Sequence, residues 1–392
     1  MNTVYLDNSA TTPLCEAAKA AIREAMDNYG NPSSLHGEGL RAEALVINAR
    51  QQILSALGIR NPSAEQLKQL VFTACGTEAN NTALLGVAYA KARRVQNRIV
   101  TTDSEHPSVE NTLQKLEQDG FEIVRISTRG GVLDTEAAMA ALGERTLMVS
   151  MMLVNNETGA RYDVESIFRE AKRRNPATVT HTDAVQGFLK CKFTPQTLCA
   201  DLISISGHKI HAPKGVGALY IDPALRKAKR IVPYLIGGGQ EDGMRSGTEN
   251  TIGIAAFGAA AADGAAHLDE HLAHMETLRS YAIERLTSAG FALNLPQGAH
   301  APHVVNLRLP DIKSETMLHF LSAQGICVSA GSACSSHGKH ASPTLVAYGL
   351  SMAQADSSLR VSLSPYNMRT DIDALVEALS RGAMTLVRMR RR

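Results

Sequence analysis

Short apolar runs alternate with longer helix-like segments through the middle of the chain. The apolar runs predict strands at 69–73, 98–102, 121–126, 146–154, 178–182 and 202–205. The longer segments between them predict helices at 77–94, 107–118 and 164–174. Because strands that alternate with helices form βαβ units, this pattern predicts an α/β fold with a mostly parallel sheet and helices on both faces.

This alternation fades after about residue 220. An alanine-rich stretch at 252–266 leads into a charged helix predicted at 267–289, and short strands with two more helices follow it. A chain of 392 residues is also too long for one compact core. We therefore expect a large α/β domain and a smaller α+β domain.

Composition and charge are typical of a globular protein without a general affinity for nucleic acid or membrane. Hydrophobic residues make up 44% of the chain and charged residues 20%, and the net charge is only +2. No apolar run is long enough to span a bilayer, and residues 1–7 lack the pattern of a signal peptide. We expect a cytoplasmic protein whose basic cluster at 388–392 is solvated or, alternatively, a docking or RNA contact.

The cysteines and histidines indicate neither a disulfide framework nor a metal site. The six cysteines show no CxxC spacing and no histidine partners at zinc-finger offsets. His267, His271 and His274 fall on one face of the predicted helix, but no carboxylate completes a known ligand pattern there. We therefore expect no metal.

A lysine follows one of the buried strands. The segment Ser206-Gly207-His208-Lys209 comes directly after the apolar run at 201–205. An amine at such a strand end can form a Schiff base, and Ser206 and His208 could reach a phosphate. Taken alone, the segment fits an ordinary solvated lysine equally well.

Further polar groups follow other predicted strands. Gly76 and Thr77 open a predicted helix, where backbone N–H groups and a hydroxyl can bind an anion. Thr77 would serve equally well as a plain helix cap. His106 and Asn156 also follow strands; the first could stack on a flat ring, and the second could hydrogen-bond a ring oxygen or a substrate. A structural histidine and an Asn-Gly turn are the alternatives.

An aspartate ends the apolar strand near residue 182. Burial of Asp183 requires a partner, and a protonated pyridine nitrogen would be one, with Gln186 reaching a ring hydroxyl. A Schiff-base lysine, a buried aspartate, a stacking histidine and a phosphate cradle together fit pyridoxal 5′-phosphate. Lys209 would hold its aldehyde, and Asp183 would keep the ring nitrogen protonated.

Two residues near the C-terminus are candidates for the chemistry of a substrate. Small residues flank Cys334, which predicts an accessible thiol that could act as a nucleophile. The alternative, a small buried hydrophobe, fits Cys327 in its apolar surroundings. Arg360 lies in an alternating strand at 357–363, where it could hold a carboxylate with two hydrogen bonds or form a surface ion pair.

Together these segments resemble the cysteine desulfurases of the NifS/IscS group, which are fold-type I pyridoxal phosphate enzymes of the class V aminotransferase family. The resemblance runs nearly end to end. It is carried by 5–13, 30–36, 206–209, 243–248 and 331–334. It implies that residues 16–266 form a large cofactor-binding domain, and that 1–15 with 267–392 form a small domain carrying the Cys334 loop.

The resemblance also implies an activity. The protein would convert L-cysteine to L-alanine and transfer the sulfur as a persulfide on Cys334, as a sulfurtransferase that supplies iron–sulfur cluster assembly or other thiolation pathways. It would be a homodimer with shared active sites. A sulfur-acceptor protein, either a scaffold or a thiolation carrier, would be its partner.

The resemblance assigns roles to single residues. The catalytic residues would be Lys209, Cys334 and His106, with Thr248 joining the phosphate site from the other subunit. The cofactor-binding residues would be Lys209, His106, Asp183, Gln186, Gly76, Thr77, Ser206, His208, Thr248 and Asn156. Arg360 and Asn156 would bind the substrate amino acid.

Two other functions stay open at this point. A cystine or selenocysteine β-lyase on the same scaffold would not need Cys334, and a non-catalytic sulfur-system subunit would lack Lys209 or Asp183, which are both present. The chain departs from the family in two places. Cys75 replaces the more usual alanine or glycine, and the longer C-terminal extension of many IscS-type enzymes is missing, which leaves the acceptor open.

Overall fold

The structure is a computed structural model that describes residues 3–90, 96–331 and 341–386. Cys334 and the basic cluster at 388–392 therefore lie outside the described residues. The helices are α1 (Glu16–Asp27), α2 (Gly37–Ala56), α3 (Ala64–Leu67), α4 (Gly76–Ala88), α5 (Pro107–Gln118), α6 (Thr135–Ala141), α7 (Val164–Arg174), α8 (Pro195–Leu198), α9 (Pro223–Lys227), α10 (Thr251–Ala266), α11 (Leu268–Ser288), α12 (Ser314–Ser322), α13 (Pro343–Tyr348), α14 (Met352–Asp356) and α15 (Arg369–Thr385). The strands are β1 (Val4–Tyr5), β2 (Leu70–Thr73), β3 (Arg98–Thr102), β4 (Glu122–Ile126), β5 (Thr146–Ser150), β6 (Val179–Asp183), β7 (Leu202–Ser206), β8 (Gly217–Ile221), β9 (Ala292–Leu293), β10 (Val304–Arg308), β11 (Ile326–Cys327) and β12 (Ser358–Ser362).

A central sheet organises the larger part of the molecule. In the described ranges it has seven strands, in the order β2-β8-β7-β6-β5-β3-β4. The strands from β7 to β4 run parallel, whereas β8 is antiparallel to both of its neighbours. The predicted α/β fold with a mostly parallel sheet is therefore confirmed.

Burial explains why these strands could be predicted from the sequence. Every residue of β5, β6 and β7 is buried, so both faces of the sheet are covered. Strands covered on both faces are continuous apolar runs rather than alternating ones. The predicted strand at 146–154 is too long, because β5 ends at Ser150 and Val154 instead forms an isolated bridge with Arg161.

The helix predictions are confirmed in position, with one error in length. The helices at 107–118 and 164–174 have the predicted bounds, and proline opens the first of them. The helix predicted at 77–94 begins at Gly76 and ends at Ala88, and residues 91–94 lie outside the described ranges. Among the described residues, no helix combines the length and the apolar character needed to cross a bilayer.

A second buried core forms around a smaller sheet. This sheet has the order β12-β10-β9 and is antiparallel. Its core contains residues from Leu278 to Leu379 together with Leu6, which is fully buried. Strand β1 pairs with β11, so the N-terminal arm joins elements from the far end of the chain.

Helices α2 and α10 pack closely because glycine allows their backbones to approach. A Cβ atom on Gly258 of α10 would lie only 2.4 Å from the Cα of Ala49 in α2. At Gly264, in the same helix, a Cβ would instead meet the end of the Leu189 side chain at 2.8 Å. A side-chain terminus can move aside, whereas a packed helix backbone cannot.

We predict that Gly258→Ala lowers the free energy of unfolding by about 2 kcal/mol, because overpacking against a backbone outweighs the gain in helix propensity. The matched variant Gly264→Ala should change it by less than about 1 kcal/mol. Urea unfolding followed by circular dichroism measures both values. Equal midpoints for the two variants would show that the contact between α2 and α10 does not limit stability.

Candidate active site

A cavity of about 180 Å³ lies at the carboxyl ends of the parallel strands. Polar side chains gather there because neighbouring parallel strands end at one edge of the sheet. The cavity is lined by all of the predicted site residues in the described ranges except Thr248, namely Gly76, Thr77, His106, Asn156, Asp183, Gln186, Ser206, His208, Lys209 and Arg360.

Lys209 reaches this cavity from a short 3₁₀ turn, Gly207–Lys209, directly after β7. Its Nζ donates to the carbonyl oxygens of Ser9 at 2.6 Å and Ala10 at 2.7 Å. The N-terminal arm therefore orients the amine with main-chain oxygens. An amine at this strand end, as the sequence predicted, is available to an aldehyde entering the cavity.

Asp183 is the last residue of β6 and is only 6% exposed. Its Oδ2 accepts a hydrogen bond from Asn80 Nδ2 at 2.7 Å, and its Oδ1 accepts one from the N–H of Val185 at 2.9 Å. Asn80 also donates to Ser108 Oγ at 2.9 Å. Sequence reasoning missed Asn80; the signal was an amide side chain among the mostly apolar buried residues of α4.

An anion site lies beside the lysine. Gly76 begins α4, and a Cβ there would approach Val185 to 2.8 Å and Ser206 Cβ to 3.4 Å, so only glycine leaves this space open. The hydroxyl of Ser206 is buried without a hydrogen-bond partner in the described part of the chain. A phosphate is the group that suits an unpaired buried hydroxyl at a helix N-terminus. The residues present thus fit the phosphate of the predicted cofactor.

The two histidines of the cavity are held neutral by burial. His106 caps α5, where its Nδ1 accepts from the N–H of Ser108 at 3.1 Å. Burial lowers the pKa of His106, and the Asp183 charge opposes this shift. Burial, reinforced by the Lys209 charge, lowers the pKa of His208 to about 4. A neutral ring can stack on a cationic pyridine without electrostatic repulsion.

Gln186 is oriented from both ends of its amide. Its Nε2 donates to the Ser9 carbonyl oxygen at 2.9 Å, and its Oε1 accepts from His303 Nε2 at 3.2 Å. His303 is fully buried, and burial lowers its pKa well below the usual value, so the ring is neutral. Sequence reasoning missed His303, because nothing near it in the chain shows that its partner lies far away in the large sheet.

Arg360 lies on β12 of the smaller sheet yet reaches this cavity. It donates to the Asn156 carbonyl oxygen at 3.0 Å and to Asp7 Oδ1 at 2.9 Å. Only 1% of Arg360 is exposed, so the alternative of a surface ion pair is wrong. Its Nε and the side-chain Oδ1 of Asn156 are buried polar atoms without a partner among the described residues, as a substrate carboxylate and amine would require.

Two candidate residues, Thr248 and Cys334, are not placed in this group by the described structure, whereas Cys75 belongs to it. Thr248 is exposed and lines a separate groove with Glu241 and Arg245. Cys334 lies outside the described residues. Cys75 is half-buried and lines the main cavity next to Gly76, so a second thiol does lie at the site.

The histidine cluster of α11 is engaged in other contacts. The rings of His267 and His271 stack with their centroids 5.6 Å apart, and His274 Nε2 donates to the Asn367 carbonyl oxygen at 2.9 Å. Within the described ranges, no three His, Cys, Asp or Glu side chains are placed to hold a metal ion.

Comparisons with known proteins agree with this arrangement. The Aminotransferase class-V family model matches residues 4–375. A curated cysteine desulfurase from Trichormus azollae is 37% identical over 383 residues, which are 97% of this chain and 92% of that protein. The solved structure of a NifS-like protein has a TM-score of 0.89 at 33% identity, covering 98% of this chain and 100% of the other. The structure of SspA in complex with cysteine has a TM-score of 0.78 at 29% identity, covering 94% and 100%.

A buried carboxyl group lies next to His106. Glu105 accepts hydrogen bonds at Oε1 from Thr102 Oγ1 at 2.7 Å and from the Met152 N–H at 2.9 Å. Its Oε2 is buried without a partner in the part of the chain that the structure describes. Burial raises the pKa of Glu105 to about 8. Between about pH 4.5 and pH 8 the folded protein therefore keeps a proton on Glu105 that the unfolded chain has already released.

We predict that Glu105→Gln becomes increasingly stable relative to the wild type as the pH rises from 5 to 8. Across this window the wild type loses folding stability, because only its folded state still holds the Glu105 proton, and each pKa unit corresponds to about 1.4 kcal/mol. Glutamine does not titrate, so the variant keeps its stability. The expected gain is about 3 kcal/mol in the free energy of urea unfolding. Exposed Glu136→Gln is the control, and parallel pH profiles for Glu105→Gln and wild type would contradict the prediction.

Proposed function

We propose, since the chain belongs to the class V aminotransferase family, that it is a pyridoxal phosphate-dependent cysteine desulfurase. It would convert L-cysteine to L-alanine and transfer the sulfur to Cys334 as a persulfide. The observation that carries the proposal is a single cavity in which Lys209, Asp183 and Arg360 meet. These groups supply the amine, the ring-nitrogen partner and the carboxylate clamp that such a reaction needs.

Each side of the cavity would hold one part of the cofactor. Lys209 would hold its aldehyde carbon, and Asp183 its ring nitrogen. The ring would lie against His106. The phosphate would be held by the N-terminus of α4, with Gly76 and Thr77, and by Ser206 and His208. Gln186 and Asn156 would meet the ring oxygen, and His303 would fix the orientation of the Gln186 amide.

Pyridoxal phosphate supplies an electron sink for negative charge at the substrate Cα. Lys209 removes the Cα proton: the C–H bond breaks, an N–H bond forms, and the electron pair stays with carbon. The hydrogen bonds from Asn80 and the Val185 N–H hold Asp183 in place, so that its carboxylate can retain the proton on the ring nitrogen. Arg360 and Asn156 bind the substrate amino acid and thereby aim its Cα at Lys209.

The sulfur step would take place on Cys334. Its thiolate attacks the substrate sulfur, an S–S bond forms, and the C–S bond breaks with its electron pair remaining on carbon. Overall, L-cysteine and the Cys334 thiol become L-alanine and the Cys334 persulfide, with no external oxidant. The persulfide sulfur then passes to an acceptor, for which we propose a scaffold or carrier protein of iron–sulfur cluster assembly or another thiolation pathway.

The buried core around the smaller sheet supports a division into two domains. We propose that residues 16–266 form the large cofactor-binding domain, and that residues 1–15 with 267–392 form the small domain with Cys334. The buried apolar residues of the smaller sheet support this division, since Leu6 packs with residues beyond 277. The competing β-lyase function would make Cys334 dispensable and would release pyruvate.

We expect Cys334→Ala to keep the visible absorbance of the bound cofactor but to lose sulfide release, because the persulfide cannot form. L-Cysteine is supplied with a reductant, and sulfide, alanine and pyruvate are quantified together. Wild type should release equal amounts of sulfide and alanine, and Cys327→Ala, a matched substitution in β11, should behave like wild type.

Two outcomes of this experiment would reject the assignment. Pyruvate as the main product would indicate a β-lyase. A Cys334→Ala variant as active as wild type would show that this thiol is not required for the reaction. A protein that stays colourless with added cofactor would instead support the non-catalytic alternative.

We further propose a homodimer in which Thr248 reaches the phosphate site of the partner subunit. Large exposed apolar side chains support this arrangement, with Tyr29 80%, Leu35 93% and Ile236 84% exposed. Leu235, the neighbour of Ile236, forms an isolated β-bridge with Arg245. Ile236 therefore lies close to the segment that carries Thr248. Large apolar side chains that are exposed next to a candidate site residue support a protein interface at this position.

Ile236→Asp should convert the dimer into a monomer of 42.0 kDa, because a charge at the centre of an apolar interface is left without a partner. Cofactor affinity should fall at least tenfold, since Thr248 would then be absent from the partner's site. Sedimentation velocity and cofactor titration measure the two effects. Met352→Asp, at another exposed apolar position, is the control. A wild-type monomer would reject the dimer.

A further inference from the structure

Lys209 also lines a second, smaller cavity. This cavity has a volume of about 30 Å³, which is enough for one or two water molecules. Titratable and polar groups from six parts of the chain meet there. They include Thr12, Cys15, Lys190, Lys209, His211 and His271.

A second lysine faces this cavity. Lys190 follows β6, is only 7% exposed, and its Nζ has no hydrogen-bond partner in the described ranges. An unpartnered amine is costly to bury, so it requires either water or a function. Both lysines line this cavity, which has room for water. Lys190 is therefore placed to act on Lys209 without touching the substrate.

The protonation properties of Lys190 suit exchange near neutral pH. Burial, reinforced by the Lys209 charge, lowers the pKa of Lys190 to about 7. The charge of Lys190 in turn contributes to the lowered pKa values of His208, His211 and His303. An amine with such a pKa can both take up and release a proton at the working pH.

The cavity also extends toward solvent. His211 donates from Nδ1 to the Pro13 carbonyl oxygen at 2.9 Å, which leaves its Nε2 as a proton acceptor. Asp263 of α10 and His271 of α11 are half-buried residues of the same lining. Water in this cavity would therefore be connected to exchangeable groups at the surface.

The proposed reaction creates a need for such a connection. Lys209 removes one proton from Cα, but alanine requires a proton at Cα and another at Cβ. If Lys209 delivers both, its amine must acquire a proton from elsewhere in every turnover. The main cavity would be filled by cofactor and substrate at that moment, whereas the second cavity also borders Lys209 and offers a route to it.

We propose that Lys190, through water in this cavity, exchanges protons between Lys209 and solvent. In each exchange the Lys209 ammonium gives a proton to water, water gives one to the neutral Lys190 amine, and the reverse sequence recharges Lys209. No electron pair leaves nitrogen or oxygen, and charge is conserved. The inference rests on the proposed function, because it concerns the proton that Lys209 handles.

The test follows one labelled hydrogen. Holoenzyme is given L-cysteine with deuterium at Cα in ordinary water with a reductant, and mass spectrometry measures the deuterium content of the alanine. Wild type should lose most of the label, because Lys209 exchanges it with solvent. Lys190→Met should retain at least twice as much, since the deuteron stays on Lys209 until it is returned to carbon.

Two further variants separate exchange from folding or packing. Lys192→Met removes an exposed lysine paired with Asp269 and should match wild type. Cys15→Leu keeps Lys190 but fills part of the same cavity, and it should also raise deuterium retention. If Lys190→Met does not fold, Cys15→Leu carries the test. If a variant forms no alanine, its recovered cysteine should lose deuterium more slowly than that of wild type.

The outcomes distinguish a failure of the proposed desulfurase function from a failure of the Lys190 relay. If wild type makes no alanine, the proposed function fails and the relay fails with it. If wild type makes alanine and the retained deuterium is the same in Lys190→Met and Cys15→Leu as in wild type, the desulfurase proposal stands and the relay is wrong. Equal retention in Lys192→Met and Lys190→Met also overturns the relay.

Discussion

The site depends on the N-terminal arm, residues 7–12, which is held between the two cores. Arg360 binds Asp7 at 2.9 Å, and the Ser9 N–H donates to Ser362 Oγ at 2.8 Å. The Ser9 carbonyl oxygen then accepts from both Lys209 and Gln186. The arm thus orients reactive side chains with main-chain oxygens, whose charge does not change with pH. If the arm moved, the amine and the amide would both lose their orientation.

Burial distributes charge in this site in a simple way. It keeps the rings of His106, His208 and His303 neutral, so that positive charge is concentrated on amines and on Arg360. A phosphate and a carboxylate are the anions that such a cavity accepts. The neutral histidines then serve as donors, acceptors and flat surfaces. A site crowded with charged imidazolium rings would instead repel the protonated ring for which we propose Asp183 as the partner.

Sequence patterns predicted the parallel strands and the residues at their ends, because strands covered on both faces are continuous apolar runs. They did not predict β8, which is antiparallel within the same sheet. They also missed Asn80, His303 and Lys190 as members of the site and its surroundings. Asn80 and His303 make their hydrogen bonds with distant parts of the chain, and Lys190 lines a cavity that distant parts of the chain form. No local periodicity reports such neighbours. Arg360 was predicted as a candidate, but only its burial excludes a surface ion pair.

The contacts of the arm also determine at which point of protein synthesis the site can be completed. Residues 7–12 leave the ribosome long before Arg360 and Ser362, which hold them. The large sheet can therefore form while the arm still lacks its anchors, and Lys209 then lacks the carbonyl oxygens that orient it. The orientation of Lys209 by the arm is therefore complete only after β12 has been synthesised. A chain that stops before residue 360 lacks the two side chains that hold the arm in the site.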